Sequence, residues 1–99
     1  MSRYRVYANP EGAGLLLDVQ ANLLSHLSTC VVVPLLPVDA APKPARILNP
    51  MLDIGGVPHV MATQFIAAVP RRLLASEVAD LHERAHEIVS ALDCLFQGV

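Results

Sequence analysis

SEVADLHERAHEIVSALDCLFQGV, residues 76–99, ends the chain, and its spacing decides how the rest must pack. Val78, Leu81, Ala85, Ile88, Leu92 and Leu95 recur at alternating steps of three and four, which sets them along one stripe of an α-helix. Ser76 suits an N-cap, Glu77 and Asp80 suit the positive end of the helix dipole, and Gly98 suits the stop. The spacing predicts a helix over 76–96. Burying its larger side chains stabilises by on the order of 10 kcal/mol gross, enough to hold the helix on a sheet against the entropy of ordering it.

Upstream of this segment the period changes from helical to alternating. Tyr4, Val6 and Ala8 alternate with Arg3, Arg5 and Tyr7, and Asn9-Pro10-Glu11-Gly12 supplies a turn. The returning arm, from Gly14 to Gln20, places Leu15, Leu17 and Val19 on one face and Leu16, Asp18 and Gln20 on the other. Val31-Val32-Val33 predicts a third strand within Cys30–Leu36. Pro34 there cannot donate to a ladder and is expected at an edge or bulge. Pro37, Pro42 and Pro44 mark a loop, and Gly55-Gly56 separates two strand arms, Met51–Ile54 and Val57–Met61. Short strands first and one long helix last predict a bent antiparallel sheet closed by a terminal helix, in one domain spanning 1–99.

Composition narrows the functional classes. Of the 99 residues 54% are apolar and mean hydropathy is +0.47, more apolar surface than a small monomer hides, so a homodimer is expected. The longest apolar run, Cys30–Val38, is broken by Pro34 and Pro37 and is far too short to span a membrane. The first residues lack a secretory core, so the expected compartment is the cytoplasm, where Cys30 and Cys94 are read as small apolar residues and not as a disulfide. A net charge of −2, with Arg71-Arg72 the one basic doublet, argues against a direct grip on nucleic acid.

His82-Glu83-Arg84-Ala85-His86 fits the H-E-x-x-H pattern of zinc proteases. On a continuous helix, however, with Leu81 at zero, the apolar stripe centres near about 20° while His82, His86 and Glu83 fall near about 100°, 140° and 200°. The pair then faces the flank and solvent, and His26 and His59 supply no third ligand at a usual spacing. No phosphate loop, nucleophile elbow or activated cysteine is present in the sequence, and Asp18 and Asp53 read as strand-end and turn residues. The expectation is a protein that is not an enzyme and uses no metal or cofactor. Leu23-Leu24 and the terminal Leu95–Val99 are apolar groups among polar ones, open to a reading as core, fraying end or binding surface.

Arg5-Val6-Tyr7, Leu17-Asp18-Val19-Gln20, Val31-Val32-Val33-Pro34-Leu35, Leu48-Asn49-Pro50, Ile54-Gly55, Val69-Pro70, Glu77-Val78-Ala79-Asp80-Leu81 and Leu95-Phe96 together resemble the CcdB family of toxins along nearly the whole chain. That resemblance implies a Src-homology-3-like barrel with a small extra sheet and a C-terminal helix, an α+β fold that is mainly β. It also implies a dimer countered by a CcdA-like antitoxin, reaching operator DNA only through that antitoxin as a co-repressor. Members of the family trap DNA gyrase on cleaved DNA by inserting their C-terminal helices between the arms of the gyrase A subunit. Carried over by position, the gyrase-binding residues are Leu23, Leu24, Asp93, Gln97, Gly98 and Val99. The family tip is Trp-Gly-Ile where this chain has Gln97-Gly98-Val99, and Asp93 stands for an Asn. Two readings follow: a gyrase poison, or a member that binds antitoxin and has lost or changed its toxic target. Because the helical stripe is expected to carry the fold, Leu81→Asp is expected to unfold the protein.

Overall fold

Alternating apolar residues and tight turns build a sheet in which every pairing is antiparallel. The computed structural model describes residues 3–12 and 14–98. Its strands are β1 (Arg5–Ala8), β2 (Leu15–Asp18), β3 (Thr29–Pro37), β4 (Met51–Ile54), β5 (Val57–Met61), β6 (Ala67–Pro70) and β7 (Glu77–Asp80), followed by helix α1 (Ala85–Gln97). The sheet order is β4-β5-β3-β2-β1-β7, with β6 also on β3. β3 is the branch point: on one edge it pairs Thr29–Val32 with β6 and Leu35–Pro37 with β5, and on the other it pairs Val32–Leu35 with β2. All seven strands belong to one branched sheet. Pro34 is not at a strand end but inside β3, where the partner on one edge changes from β6 to β5, a place that tolerates a missing donor. Gly55 and Gly56, at φ 59° and 83°, make the tight turn between β4 and β5 that only positive φ values allow.

The pleat sorts side chains into two cores. On the concave side Val6, Leu17, Val19, Val33, Leu35, Leu52, Ile54 and Met61 meet Leu81, Ile88 and Ala91, so the curled sheet is closed by the C-terminal segment. On the other side Leu16, Cys30 and Val32 pack under Val69 and Leu74. A polar clasp ties the proline-rich loop to this body. Asn49, nearly buried, accepts from the Ala45 N–H (3.0 Å) and donates to the Met61 carbonyl (2.9 Å) and Gln64 Oε1 (2.8 Å), while the Thr63 hydroxyl donates to the Leu48 carbonyl.

The helix begins nine residues later than its spacing predicts. Residues 77–80 are not helical but form β7 on the open edge of β1, with Val6 opposite Ala79 and Arg5 opposite Asp80. Ser76 caps nothing: its carbonyl accepts the Ala8 N–H (2.9 Å) as the strand starts. Edge pairing, reinforced by Arg5 Nη1 donating to Glu77 Oε1 (2.8 Å), overrides a helical periodicity that two apolar residues share by coincidence. Val78 is consequently half exposed, at 50%, whereas Leu81 sits in the core just before a 3-10 turn, His82–Arg84, that leads into α1. Within α1 the deepest residues are Ile88 and Ala91, with Ala85, Leu92 and Leu95 half-buried.

On the second face Asp18 is fully buried; its Oδ1 accepts the Gln20 N–H (3.0 Å) and its Oδ2 has no hydrogen-bond partner. The neighbouring Cys30 thiol, also fully buried, is pushed up to about 12, first by burial and then by the Asp18 carboxylate, with Arg71 pulling the other way. The folded state therefore keeps a proton that the unfolded chain releases, and stability should fall as pH rises from about 9 to about 12. Cys94 is only half-buried, and both cysteines are free.

Two measurements follow. Leu81→Asp places an unpaired charge in the core and should cost at least about 3 kcal/mol, whereas Val78→Thr should stay within about 0.5 kcal/mol of the parent by thermal melting. Equal effects at the two sites would contradict this placement of 77–81. In native protein at pH 8, Cys30 should resist a thiol reagent that labels it promptly in guanidinium; prompt native labelling would show the second core to be open.

Candidate functional site

Between β2 and β3 the chain leaves the sheet through a short 3-10 turn, Asn22–Leu24. The turn is fixed locally by the N–H groups of Leu24, Ser25 and Leu27 donating to the carbonyls of Ala21 (2.9 Å), Asn22 (3.0 Å) and Leu24 (3.1 Å). Its start is tied to the chain's first residues, because the Arg3 N–H donates to Asn22 Oδ1 (2.9 Å). With no core beneath it, the turn presents Leu23 at 86% exposure, beside the partly exposed Leu24 and Leu27. Of these, Leu27 was not legible in the sequence as part of the patch. A further unpredicted feature is Gln20, whose side chain crosses the neck of the loop: Nε2 donates to the Leu24 and Thr29 carbonyls (both 3.2 Å) and Oε1 accepts the Val31 N–H (3.1 Å).

The second candidate patch is the end of α1. Asp93 is half-buried on the helix, and Phe96, Gln97 and Gly98 are exposed, Phe96 at 70%. Gly98 adopts φ 72° and its N–H donates to the Cys94 carbonyl (3.1 Å), the left-handed cap that glycine supplies without a Cβ clash. Val99, the remaining position of the expected site, lies outside the described residues. Within one subunit the helix lies on the concave core through Ile88 and Ala91 and against the Thr63–Phe65 and His82–Arg84 turns. Leu23 and Leu24 are on a different element from Asp93, Gln97 and Gly98, and neither group belongs to a buried core cluster.

The histidine motif is divided between two elements. His82 and Glu83 belong to the 3-10 turn and His86 to the first turn of α1, so the pair does not have the one-turn spacing of a continuous helix; all three side chains are exposed. His82 Nδ1 is 3.2 Å from Asp80 Oδ1, which also accepts the His82 backbone N–H (3.0 Å); that backbone bond is the main reason the Asp80 carboxyl lies below the usual range. Among the described residues no group of three His, Cys, Asp or Glu is placed to hold a metal ion.

Two open clefts flank the 21–28 loop. One, of about 410 Å³, is lined by Arg3, Tyr4, Arg5, Asn22, Asp80 and His82. Arg5 pairs with Glu77 and lies 3.8 Å from Asp80, while Arg3 Nε donates to the Val19 carbonyl (3.2 Å) and its guanidinium lies 4.7 Å from the Tyr4 ring centre. Tyr4 holds φ 71°, a left-handed value rare for a bulky residue, between two backbone bonds: its N–H to Asp18 and its carbonyl from Leu81. The other cleft, of about 490 Å³, runs between Leu27–Thr29 and Pro70–Arg72, and Arg71 Nε closes its base by donating to the Leu27 carbonyl (3.0 Å). No helix among the described residues is long and apolar enough to cross a membrane.

Comparison with solved structures shows the same fold in mycobacterial proteins. The Mycobacterium tuberculosis toxin MazF-mt6 superposes with a TM-score of 0.75 over 95% of this chain and 96% of its own, at 16% identity. A mycobacterial endoribonuclease in complex with its cognate antitoxin gives 0.76 over 94% and 91%, and a second mycobacterial endoribonuclease 0.72 over 94% and 88%, both at 17% identity. At such identities the likeness is one of architecture. Sequence itself is more specific: the profile of the family described as CcdB protein matches residues 3–98. By that match, over essentially its whole length, the chain belongs to the CcdB family.

Proposed function

We propose that this chain is the toxin of a type II toxin–antitoxin pair, and that it poisons DNA gyrase by binding the gyrase A subunit and holding the enzyme on cleaved DNA. The observation that carries the reading is family membership together with the exposure of the expected contact groups: Leu23 stands out at 86%, and Gln97 and Gly98 form a free, glycine-capped helix end. Both patches are solvent-facing, as residues meant for another protein must be. In this reading the protein does no chemistry of its own and acts by occupying a surface. It works in the cytoplasm as a homodimer, to which the exposed Ile47, Met51, Val57 and Phe65 offer apolar area, and a CcdA-like antitoxin neutralises it. An antitoxin partner is in keeping with the mycobacterial endoribonuclease of the same fold, whose structure holds its cognate antitoxin.

One observation favours a second reading. The chain has Gln97 where the family tip has Trp, and a Trp hot spot is worth roughly 2–4 kcal/mol, about 30- to 1,000-fold in affinity. A member with a weakened tip would still bind antitoxin and co-repress its operator while sparing gyrase.

Purified protein titrated into a gyrase–plasmid reaction separates the two. The first reading expects linear DNA after detergent and protease, lost in Leu23→Asp without a change in melting temperature, and produced at lower protein concentration by Gln97→Trp. Antitoxin binding with no cleavage by the parent protein, and cleavage restored by Gln97→Trp, would establish the second.

A further inference from the structure

From Ala21 to Ser28 no side chain is buried, so this loop cannot owe its shape to a core. Its ends are pinned from outside, by the Arg3 N–H on Asn22 Oδ1 and by the Arg71 N–H and Nε on the Ser28 and Leu27 carbonyls. The middle is reached by Gln20. Its Nε2 donates to the carbonyl of Leu24 in the loop and of Thr29 in β3, its Oε1 accepts from Val31, and its own N–H is held by the buried Asp18 carboxylate. Of the side chains of this length only the Gln amide offers two donors and a strong acceptor at once; Glu lacks the donors, and Met has no donor and only a weak thioether acceptor.

We propose that Gln20 is a positioning residue: its amide fixes the Leu23–Leu24 turn relative to the sheet, so that the apolar pair meets its partner already ordered. A partner then binds without the entropy loss of freezing a mobile loop, which otherwise subtracts from affinity. The route runs from the core outward, from Asp18 to the Gln20 backbone, and from the Gln20 amide to the Leu24 carbonyl beside the exposed side chains. The ordering of the loop stands on these bonds alone; its consequence for gyrase rests on the function proposed above.

The test compares the full-length protein with Gln20→Met, which keeps length and packing, and Gln20→Glu, which keeps only an acceptor. Amide hydrogen exchange over 21–28 should quicken by on the order of tenfold in both, while β2 and the 33–35 part of β3 exchange as before. Affinity for purified gyrase A subunit should fall by a similar factor. Unchanged loop exchange in a folded variant would overturn the proposal. So would loosening of the whole sheet or unfolding of both variants, since Gln20 would then be a general stabiliser, and so would a mobile loop that binds gyrase as tightly as the parent. If the loop loosens as expected but the parent protein itself does not bind gyrase A, the positioning role holds and the gyrase reading falls.

Discussion

Everything in this fold depends on the concave face of the curled sheet finding a lid. Val6, Leu17, Val33, Leu35, Leu52 and Met61 converge from four different hairpin arms and the central strand, and no strand of the sheet can cover them all. Ile88 and Ala91 do so, with Leu81 filling the approach. Ala91 matters here as much as the larger residue, because a small side chain lets the helix axis come close to the sheet. β3 makes the arrangement possible: at nine residues it is long enough to serve two partners in succession on one edge, so the sheet can bend there without losing its hydrogen bonds.

Strand alternation and turn chemistry were legible from the sequence because they are local. The β1–β2 and β4–β5 hairpins, the inward set Leu15, Leu17 and Val19, and the Gly55-Gly56 turn need only neighbours a few residues apart. The start of the helix was not legible, because what decides it is the distant edge of β1. Glu77 to Asp80 satisfy a helical stripe on paper, yet the backbone groups of Arg5–Tyr7 lack a partner on that side unless 77–80 extends to meet them. A long-range ladder with an ion pair attached outweighs a few tenths of a kcal/mol of propensity per residue. The same extension carries His82 out of the helix, and with it the geometry that the H-E-x-x-H string suggests. β6 escaped for the opposite reason: Ala67–Pro70 has almost no pattern of its own and is a strand only because β3 offers an edge.

Of the candidate contact residues that the resemblance implies, Leu23, Leu24, Gln97 and Gly98 lie at the surface, Asp93 is half-buried and Val99 lies outside the described residues. The exposure of the first four follows from how they are held. The turn is shaped by backbone bonds and by the side chains of Gln20, Asn22 and Arg71, and the helix end by the positive φ of Gly98, so neither needs its apolar groups to be buried. Gln20 was invisible as a functional residue because its role is a set of contacts to main-chain carbonyls, which leave no mark on composition or periodicity.

This separation between what holds the fold and what faces outward bears on the substitution at the tip. The two cores contain none of Leu23, Leu24, Asp93, Gln97 or Gly98, so changes at those positions should have little effect on folding. A chain of this kind can therefore exchange an aromatic anchor for Gln97 without losing its architecture. The opposite holds for Asp18, which is fully buried with one oxygen unpartnered: a buried carboxylate of that kind is costly to stability. What it gives in return is an anchor for the Gln20 N–H at the point where the loop leaves the sheet. Among the described residues, the buried side chain with an unpartnered polar atom is thus the one from which an exposed turn is held.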